Sequence, residues 1–191
     1  YSLSAQLQRA RSDYYAILER TQRGDLDVTE WLLWFLDALA AARFPATATA
    51  ALEALAVAER PQDLIASVTA TSLQLEDDAG REAELPLPED QFYLSVAPFV
   101  ETTHECGFHS LTTCRGELRN REVAVNVVDS SSGKILEEGT RTTHDNGFLG
   151  LWLPRGITAE LTCTLEDYTG TASISTQAED DLTCLTSLQL T

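Results

Sequence analysis

The residues best suited to bind a metal lie close together in one short segment, Thr103–Cys114, of this 191-residue chain. The segment contains two of the four cysteines, Cys106 and Cys114, and two of the three histidines, His104 and His109. Thiolate and imidazole groups are ligands for Zn(II), and thiolates are preferred by soft Cu(I). Seven residues separate the two cysteines, so the spacing is not the CxxC of a zinc knuckle or a thioredoxin-like site. A loop of this length can still bring both sulfurs to one metal ion.

The other two cysteines lie in stretches that alternate apolar and polar residues, as expected for strands. Cys163 has the same parity as Leu161, and a buried cysteine behaves as a small hydrophobic residue, so we place Cys163 in the core. Cys184 has the same parity as Leu182, Leu188 and Leu190. Its spacing alone leaves a core position or a disulfide open. His144 precedes an Asp-Asn-Gly turn and is predicted to be exposed.

Composition narrows the range of partners. The net charge of −17 argues against nucleic acid, because nucleic-acid binding depends on clustered lysine and arginine. Such a charge suits metal cations in a general way, although an acidic, well-solvated surface explains it as simply. The most apolar stretch, Trp31–Ala42, is interrupted by Asp37 and is too short to cross a bilayer. We therefore expect no membrane span.

The charge changes near residue 43, which indicates two parts with different chemistry. Residues 1–43 carry five basic and six acidic residues, whereas residues 44–191 carry eight basic and 24 acidic residues. All four cysteines and all three histidines fall in the second part. We therefore treat residues 1–43 and 44–191 as separate units.

Residues 1–43 have the pattern of two amphipathic helices. One face of the first helix collects Leu3, Leu7, Tyr14 and Leu18. The second helix is preceded by a capping pair, Asp27 and Glu30, and its apolar stripe, which we assign to a buried core, consists of Trp31, Trp34, Phe35 and Leu39. This part also resembles the C-terminal helices of Fic-type domains. Because it lacks the HPFxxGNGR-like motif through which those domains transfer nucleotide groups, we transfer no Fic activity to it.

Residues 44–191 begin with an Ala-rich helix, Thr47–Val57, that stops before the Arg60-Pro61 pair. From about residue 66 the pattern changes to short strands, namely Phe92–Val100, Val123–Val128, Phe148–Leu153, Ile157–Leu165 and Leu182–Leu190. The turn signals between them are Ser-Ser-Gly at 131–133, Asp-Asn-Gly at 145–147 and Tyr-Thr-Gly at 168–170. The chain is thus predicted to have an α+β fold, with N-terminal helices followed by a mainly antiparallel β domain. We expect a small sandwich or barrel.

Five segments of the second part resemble, in order, the sequence signatures of the CueP family of periplasmic copper-binding proteins. They are ALAVAERPQDLIASV, LPLPEDQFYLSVAPFVETTHEC, FHSLTTCRGEL, DNGFLGLWLPR and DLTCLTSLQL. The most specific are the HSLTTCxGEL pattern, here His109–Leu118, and the closing TCLTSLQL. Matched residue by residue, the three metal-associated cysteines of the family fall on Cys106, Cys114 and Cys184. Cys163 has no counterpart in this pattern.

The resemblance implies a periplasmic protein of the copper-stress response that binds copper without substrate turnover of its own. It also implies that the protein can supply copper to a Cu,Zn superoxide dismutase, and that it forms a homodimer with a helical N-terminal portion and a β C-terminal domain. Residues 1–43 depart from the N-terminal portion of the family. We expect His109 beside the metal, either as a ligand or as a structural hydrogen-bonding residue, and His104 as a ligand or as an outer-shell residue.

The chemistry of these residues agrees with copper. Cu(I) prefers thiolate or thioether ligands, and the chain has no methionine, so cysteine must supply the sulfur. Three sulfurs form a trigonal Cu(I) site, or most of a tetrahedral Zn(II) site if His109 or His104 joins them. In an oxidising compartment we expect Cys106 and Cys114 to form a disulfide. Metal loading would then require a periplasmic thiol reductant.

Two other functions stay open at this point. The cysteines could form a thiol-based reductase of Cu(II), Fe(III) or disulfides, or they could staple a β domain that binds other proteins. A hydrolase is not indicated, because the chain contains no GxSxG elbow, no HExxH helix and no P-loop.

Overall fold

The computed structural model describes residues 11–23 and 45–191. Helix α1 spans Arg11–Arg23 and overlaps the first predicted helix. The second predicted helix, with its tryptophan-rich stripe, lies outside the described residues. Within the described part of the chain, no helix combines the length and the apolar character of a transmembrane span.

Helix α2 covers residues 45–54 and ends three residues before the predicted end at Val57. A short 3-10 helix, Val57–Glu59, then carries the chain to Arg60. The guanidinium group of Arg60 is buried and donates to the carbonyl oxygens of Glu53 and Leu55. The hydrogen bond to Glu53 satisfies one of the carbonyl groups that the last turn of α2 leaves free, and the bond to Leu55 ties Arg60 to the residue that follows the helix.

The described residues contain eleven strands: β1 Leu64–Val68, β2 Ser72–Asp77, β3 Glu82–Pro86, β4 Gln91–Val96, β5 His109–Ser110, β6 Glu122–Asp129, β7 Ile135–Thr142, β8 Leu149–Pro154, β9 Thr158–Leu165, β10 Tyr168–Ser175 and β11 Cys184–Leu185. They form three sheets with the strand orders β3-β2-β1-β5, β10-β9-β6-β7 and β11-β4-β8. Every strand pair is antiparallel except β11 with β4, which is parallel. The predicted mainly antiparallel β structure is confirmed, with few helical residues in the described part.

The sheets pack as three layers, and β4 lies in the middle one. Alternate residues of β4, Phe92, Leu94 and Val96, share one apolar core with residues of β6 and β9. Tyr93, on the opposite face of β4, belongs to a second core with β1, β2 and apolar residues of α2. The expected sandwich therefore exists, but a third sheet and α2 cover its other side. Because β4 is buried on both faces, its sequence is nearly continuously apolar rather than alternating.

Two sequence expectations for the C-terminal third are wrong. The predicted turn at Tyr-Thr-Gly lies inside β10, and the chain instead reverses at Glu166, which adopts a positive φ of 55°. Gly170 allows the backbone of the C-terminal segment to pack closely against β10, since a Cβ at this position would overlap the carbonyl oxygen of Gln189. The predicted strand over 182–190 is reduced to β11 and one parallel bridge between Phe99 and Gln189.

This close approach makes Gly170 a specific test of the packing of the C-terminal segment. We predict that Gly170→Ala lowers the free energy of unfolding by about 1–3 kcal/mol, because the added methyl group must displace backbone. The exposed Ser173 lies on the same strand, and Ser173→Ala should change stability by less than about 0.5 kcal/mol. Urea unfolding of both variants measures the difference, and equal midpoints for the two would contradict the predicted contact.

Candidate metal centre

Four side chains that can bind a metal meet beside the carboxyl end of β4. The ligand atoms of Cys106, His109, Cys114 and Cys184 all lie within 4.8 Å of one another. Cys106 lies in the loop before β5, His109 begins β5, Cys114 lies in the turn after β5, and Cys184 begins β11. Cys106 and Cys184 are 78 residues apart in sequence. The cluster therefore depends on the tertiary fold.

Two short strands bring the histidine and the most distant cysteine together. His109 pairs with Val68 of β1, and Cys184 pairs with Ser95 of β4. The N–H of Cys184 also donates to the carbonyl oxygen of Gly107 at 3.1 Å. The end of the middle sheet thus lies directly against the loop that precedes β5.

A carboxylate holds the first half of that loop in place. Glu117 accepts hydrogen bonds from the backbone N–H groups of Val100, Glu101 and Thr102, at 2.9 Å, 3.1 Å and 3.1 Å to Oε2. Burial raises the pKa of Glu117, but these backbone hydrogen bonds outweigh that effect and lower it. Because the loop has little regular structure, this side chain replaces the missing backbone pairing at the start of the loop that leads to Cys106.

Three sulfur atoms lie together, and two of them are bonded. Cys106 and Cys184 form a disulfide with a Cα–Cα distance of 5.7 Å. Cys114 is a free cysteine, and its Sγ is 3.7 Å from that of Cys106. The expected Cys106–Cys114 disulfide is therefore wrong for this state. The backbone hydrogen bond from Cys114 to Ser110 at 3.1 Å closes a separate turn, whereas β11 lies directly beside residue 106.

Cys163 and His144 also lie away from the four clustered residues. Cys163 is fully buried in the core between the sheets, as predicted, and burial raises its pKa to about 12. His144 was expected to be exposed, but it is half-buried. Its turn is covered by a neighbouring segment, because Gly116 donates its N–H to the carbonyl oxygen of Asn146 at 2.6 Å.

His109 is fully buried, and both of its ring nitrogens face polar atoms. Its Nδ1 lies 3.7 Å from Sγ of Cys184. Its Nε2 lies 3.0 Å from Oε2 of Glu53. The ring packs on Phe148, with 4.4 Å between the ring centroids. The imidazole therefore connects the sulfur cluster to a carboxylate on α2.

Glu53 is a functional candidate that the sequence analysis missed. It is 1% exposed, and it accepts hydrogen bonds from the hydroxyl groups of Tyr93 at 3.1 Å and Ser95 at 2.9 Å. The side-chain amide of Asn146 donates to it at 2.9 Å. One signal was available, because Glu53 is the only charged residue within the Ala-rich stretch 47–57. A carboxylate that is buried in such a helix requires polar or charged partners.

The charges of the cluster depend on one another. Burial raises the pKa of Glu53, but the hydrogen bond and the charge of His109 lower it to about 2. Burial lowers the pKa of His109, but its interactions with Cys114 and Glu53 raise it to about 9. Burial raises the pKa of Cys114, and the hydrogen bond and charge of His109 more than reverse that effect. In the disulfide form Cys114 is the sulfur of the cluster that can carry charge, and the hydrogen bond and charge of His109 favour its thiolate form.

The cluster is accessible from two sides. Cys114 and His104 line an open cleft between the loop before β5 and the turn after it. Cys106 and Cys184 line a second cleft on the other side. The ring centroid of His104 is 6.2 Å from that of Phe148, and His104 lies outside the four-residue cluster. Its role as a ligand stays a prediction.

The donor set suits a soft metal. Three sulfur atoms and one imidazole nitrogen match the preference of Cu(I) for thiolates, and they could also form a tetrahedral Zn(II) site. The cysteines pack against Ala97 and Phe148, which supply an apolar environment. In the disulfide form only one thiol of the cluster can bind a metal, so a complete sulfur site requires reduction.

Comparison with known proteins identifies the family. The family model described as periplasmic copper-binding protein CueP matches residues 47–189. The chain belongs to the CueP family. A solved chain described as the crystal structure of S.CueP is 36% identical to it, with a TM-score of 0.71, and the match covers 76% of this chain and 88% of that chain. No curated protein sequence matches.

Membership of the CueP family confirms the resemblance that the sequence signatures indicated. It also confirms the periplasm as the location of the protein, with copper binding as the function of the family. The matched residues contain Glu53 as well as the four residues of the cluster. A disulfide between Cys106 and Cys184 is consistent with the oxidising periplasm.

The charge coupling predicts how the free thiols react. With the disulfide intact, iodoacetamide should alkylate Cys114 with a pH midpoint below that of an ordinary thiol, about 8.5, because the imidazolium favours the thiolate. His109→Ala should move this midpoint to higher pH. Cys163 is an internal control, since its burial and raised pKa should leave it unlabelled in the folded protein. Mass spectrometry of peptides measures both sites, and an unchanged midpoint in the variant would contradict the coupling.

Proposed function

We propose that this protein binds one Cu(I) ion in the periplasm through the thiolates of Cys106, Cys114 and Cys184. His109 provides a fourth, nitrogen ligand through Nδ1. The observation that supports this proposal is the convergence of these four side chains within 4.8 Å. The ion is a cargo of the protein and does not catalyse a reaction there.

Copper is favoured over zinc by the softness of the donors and by composition. Cu(I) strongly prefers thiolate ligands, and the absence of methionine leaves cysteine as the sole source of sulfur. Zn(II) fits the same four donors in a tetrahedral arrangement. Copper binding by the CueP family supports Cu(I) as the physiological ion.

Loading depends on the redox state of the cysteines. Opening the Cys106–Cys184 disulfide requires two electrons and two protons, which a dithiol reductant in the periplasm would supply while becoming a disulfide itself. The opened pair joins Cys114 to complete the three-sulfur set. Oxidised protein is thus expected to bind Cu(I) weakly, and reduced protein tightly.

The accessible cleft beside Cys114 supports release of the copper to another protein. A ligand of the acceptor can approach the ion from that side and replace the cysteines one at a time. His104 lines the same cleft and would hold the ion during this exchange. A Cu,Zn superoxide dismutase is the acceptor that the family resemblance implies, and a homodimer is the assembly it implies.

A second candidate function is reduction of metal ions. The proximity of the Cys106 and Cys184 sulfurs favours it, because their conversion from dithiol to disulfide releases two electrons, which would reduce two Cu(II) ions to Cu(I). Such a reaction stops after one turnover unless the reductant restores the thiols. A purely structural role for all the cysteines fits less well, since Cys114 is unbonded and lies beside His109.

Competition with a chromogenic Cu(I) chelator tests the proposal. Reduced wild-type protein should bind one equivalent, and Cys106→Ser combined with Cys114→Ser should weaken binding by more than about 100-fold. This loss should exceed the roughly 10- to 100-fold effect of removing an outer-shell partner. Cys163→Ser is the matched control and should bind like wild type, because Cys163 lies in the core between the sheets.

Equal Cu(I) binding by the double variant and the wild type would contradict the assignment of the site. Equal binding by oxidised and reduced wild-type protein would contradict the dependence on reduction. Catalytic reduction of Cu(II) with excess reductant, many equivalents per protein, would favour the second candidate function.

A further inference from the structure

The buried carboxylate of Glu53 needs a functional explanation. Ion pairs in a protein interior contribute little net stability, and apolar residues of similar volume often replace them without loss. Glu53 nevertheless lies at the meeting point of α2, β4, β5 and the turn that contains Asn146. Among its side-chain partners, His109 is the one that contacts the sulfur cluster.

We propose that Glu53 is a positioning residue of the metal centre, which holds His109 with its Nε2–H toward the carboxylate and its Nδ1 toward the three sulfurs. This inference rests on the proposed function of the cluster, and it assigns the nitrogen atom that binds the copper. Glu53 itself does not touch the metal.

The hydrogen bonds around Glu53 determine which ring nitrogen carries a proton. An ionised carboxylate only accepts hydrogen bonds, and Tyr93, Ser95 and Asn146 already direct donors at it. The Nε2 atom of His109 lies 3.2 Å from Oε1 and 3.0 Å from Oε2. This nitrogen must therefore be the protonated one, and a neutral imidazole then has its lone pair on Nδ1.

The contacts of His109 on the side of the sulfur atoms agree with the same orientation of its ring. Nδ1 is 3.7 Å from Sγ of Cys184, and the packing against Phe148 limits rotation of the ring. Turning the ring over would place a carbon against the carboxylate and break its hydrogen bond. Carboxylates that hold metal-binding histidines in this way fix the tautomer and increase the basicity of the ligand.

Helix α2 gives the carboxylate its fixed position. Arg60 binds the carbonyl oxygen of Glu53 itself at 3.2 Å, and Leu52, the preceding residue, packs against the core of the first sheet. The helix therefore acts as more than a cover for that sheet, because it supplies a residue that orients a ligand.

A double-mutant cycle in the full-length, reduced protein tests the proposal. Glu53→Ala should lower the affinity for Cu(I) about 10- to 100-fold. Glu53→Gln should recover most of this loss, because its carbonyl oxygen can still accept the Nε2–H while its amide donates to the two hydroxyls. Tyr93→Phe is the matched control, since it removes another hydrogen bond to Glu53 without touching His109, and it should bind nearly as tightly as wild type.

The cycle distinguishes an effect of Glu53 on the orientation of His109 from a general effect of Glu53 on packing. In a His109→Ala background, Glu53→Ala should cause no further loss of affinity, because the ligand that it orients is gone. An equal loss in both backgrounds would overturn the proposal and indicate a merely structural role. If Glu53→Ala does not fold, Glu53→Asp takes its place, since it keeps the charge but shortens the reach to Nε2, and it should lower affinity in the same direction.

Nitrogen-15 NMR of the histidines gives a readout independent of affinity. Cu(I)-loaded wild-type protein should show Nε2 protonated and Nδ1 bound to the metal, and the metal-free reduced protein should show a slowly exchanging Nε2–H. Both signals should be lost in Glu53→Ala. A copper bond to Nε2 in the wild type, or an unchanged Nε2–H in the variant, would overturn the inference. If wild-type protein fails to bind Cu(I), the proposed function is wrong, and the metal-free spectra still decide the role of Glu53.

Discussion

The hydrogen bond between Glu53 and His109 joins the helical layer of this protein to its sulfur cluster. Both groups are buried, and each compensates for the cost of burying the other. The same contact requires that α2, β4, β5 and the turn at Asn146 occupy fixed relative positions. Around it the sheets can pack as three layers and still leave two clefts that reach the sulfurs. The buried polar contacts of Glu53 therefore tie α2 to the strands that carry the sulfur cluster.

Redox state is the second constraint on this arrangement. Three sulfur atoms so close together can either bind a soft metal or bond to one another, and the two outcomes exclude each other. The Cys106–Cys184 disulfide leaves Cys114 as a free cysteine beside His109, so part of the donor set persists after oxidation.

Much of the β domain could be predicted from sequence, because alternation and turn residues report which face of a strand is buried. Cys163 was placed correctly on that basis. The metal cluster needed the family signatures, since nothing local connects Cys184 with a loop 78 residues earlier. Two features could not be predicted from local sequence patterns. The disulfide partner of Cys106 depends on how β11 docks, and the role of Glu53 depends on contacts with residues 40 to 93 positions away.

X-ray absorption spectroscopy of the reduced, Cu(I)-loaded protein tests the central claim most directly. We predict a first shell dominated by sulfur, with one nitrogen that disappears in His109→Ala. The sulfur contribution should fall when Cys106 and Cys114 are both replaced by serine. A shell of nitrogen and oxygen alone, or a sulfur shell unchanged by those substitutions, would contradict it.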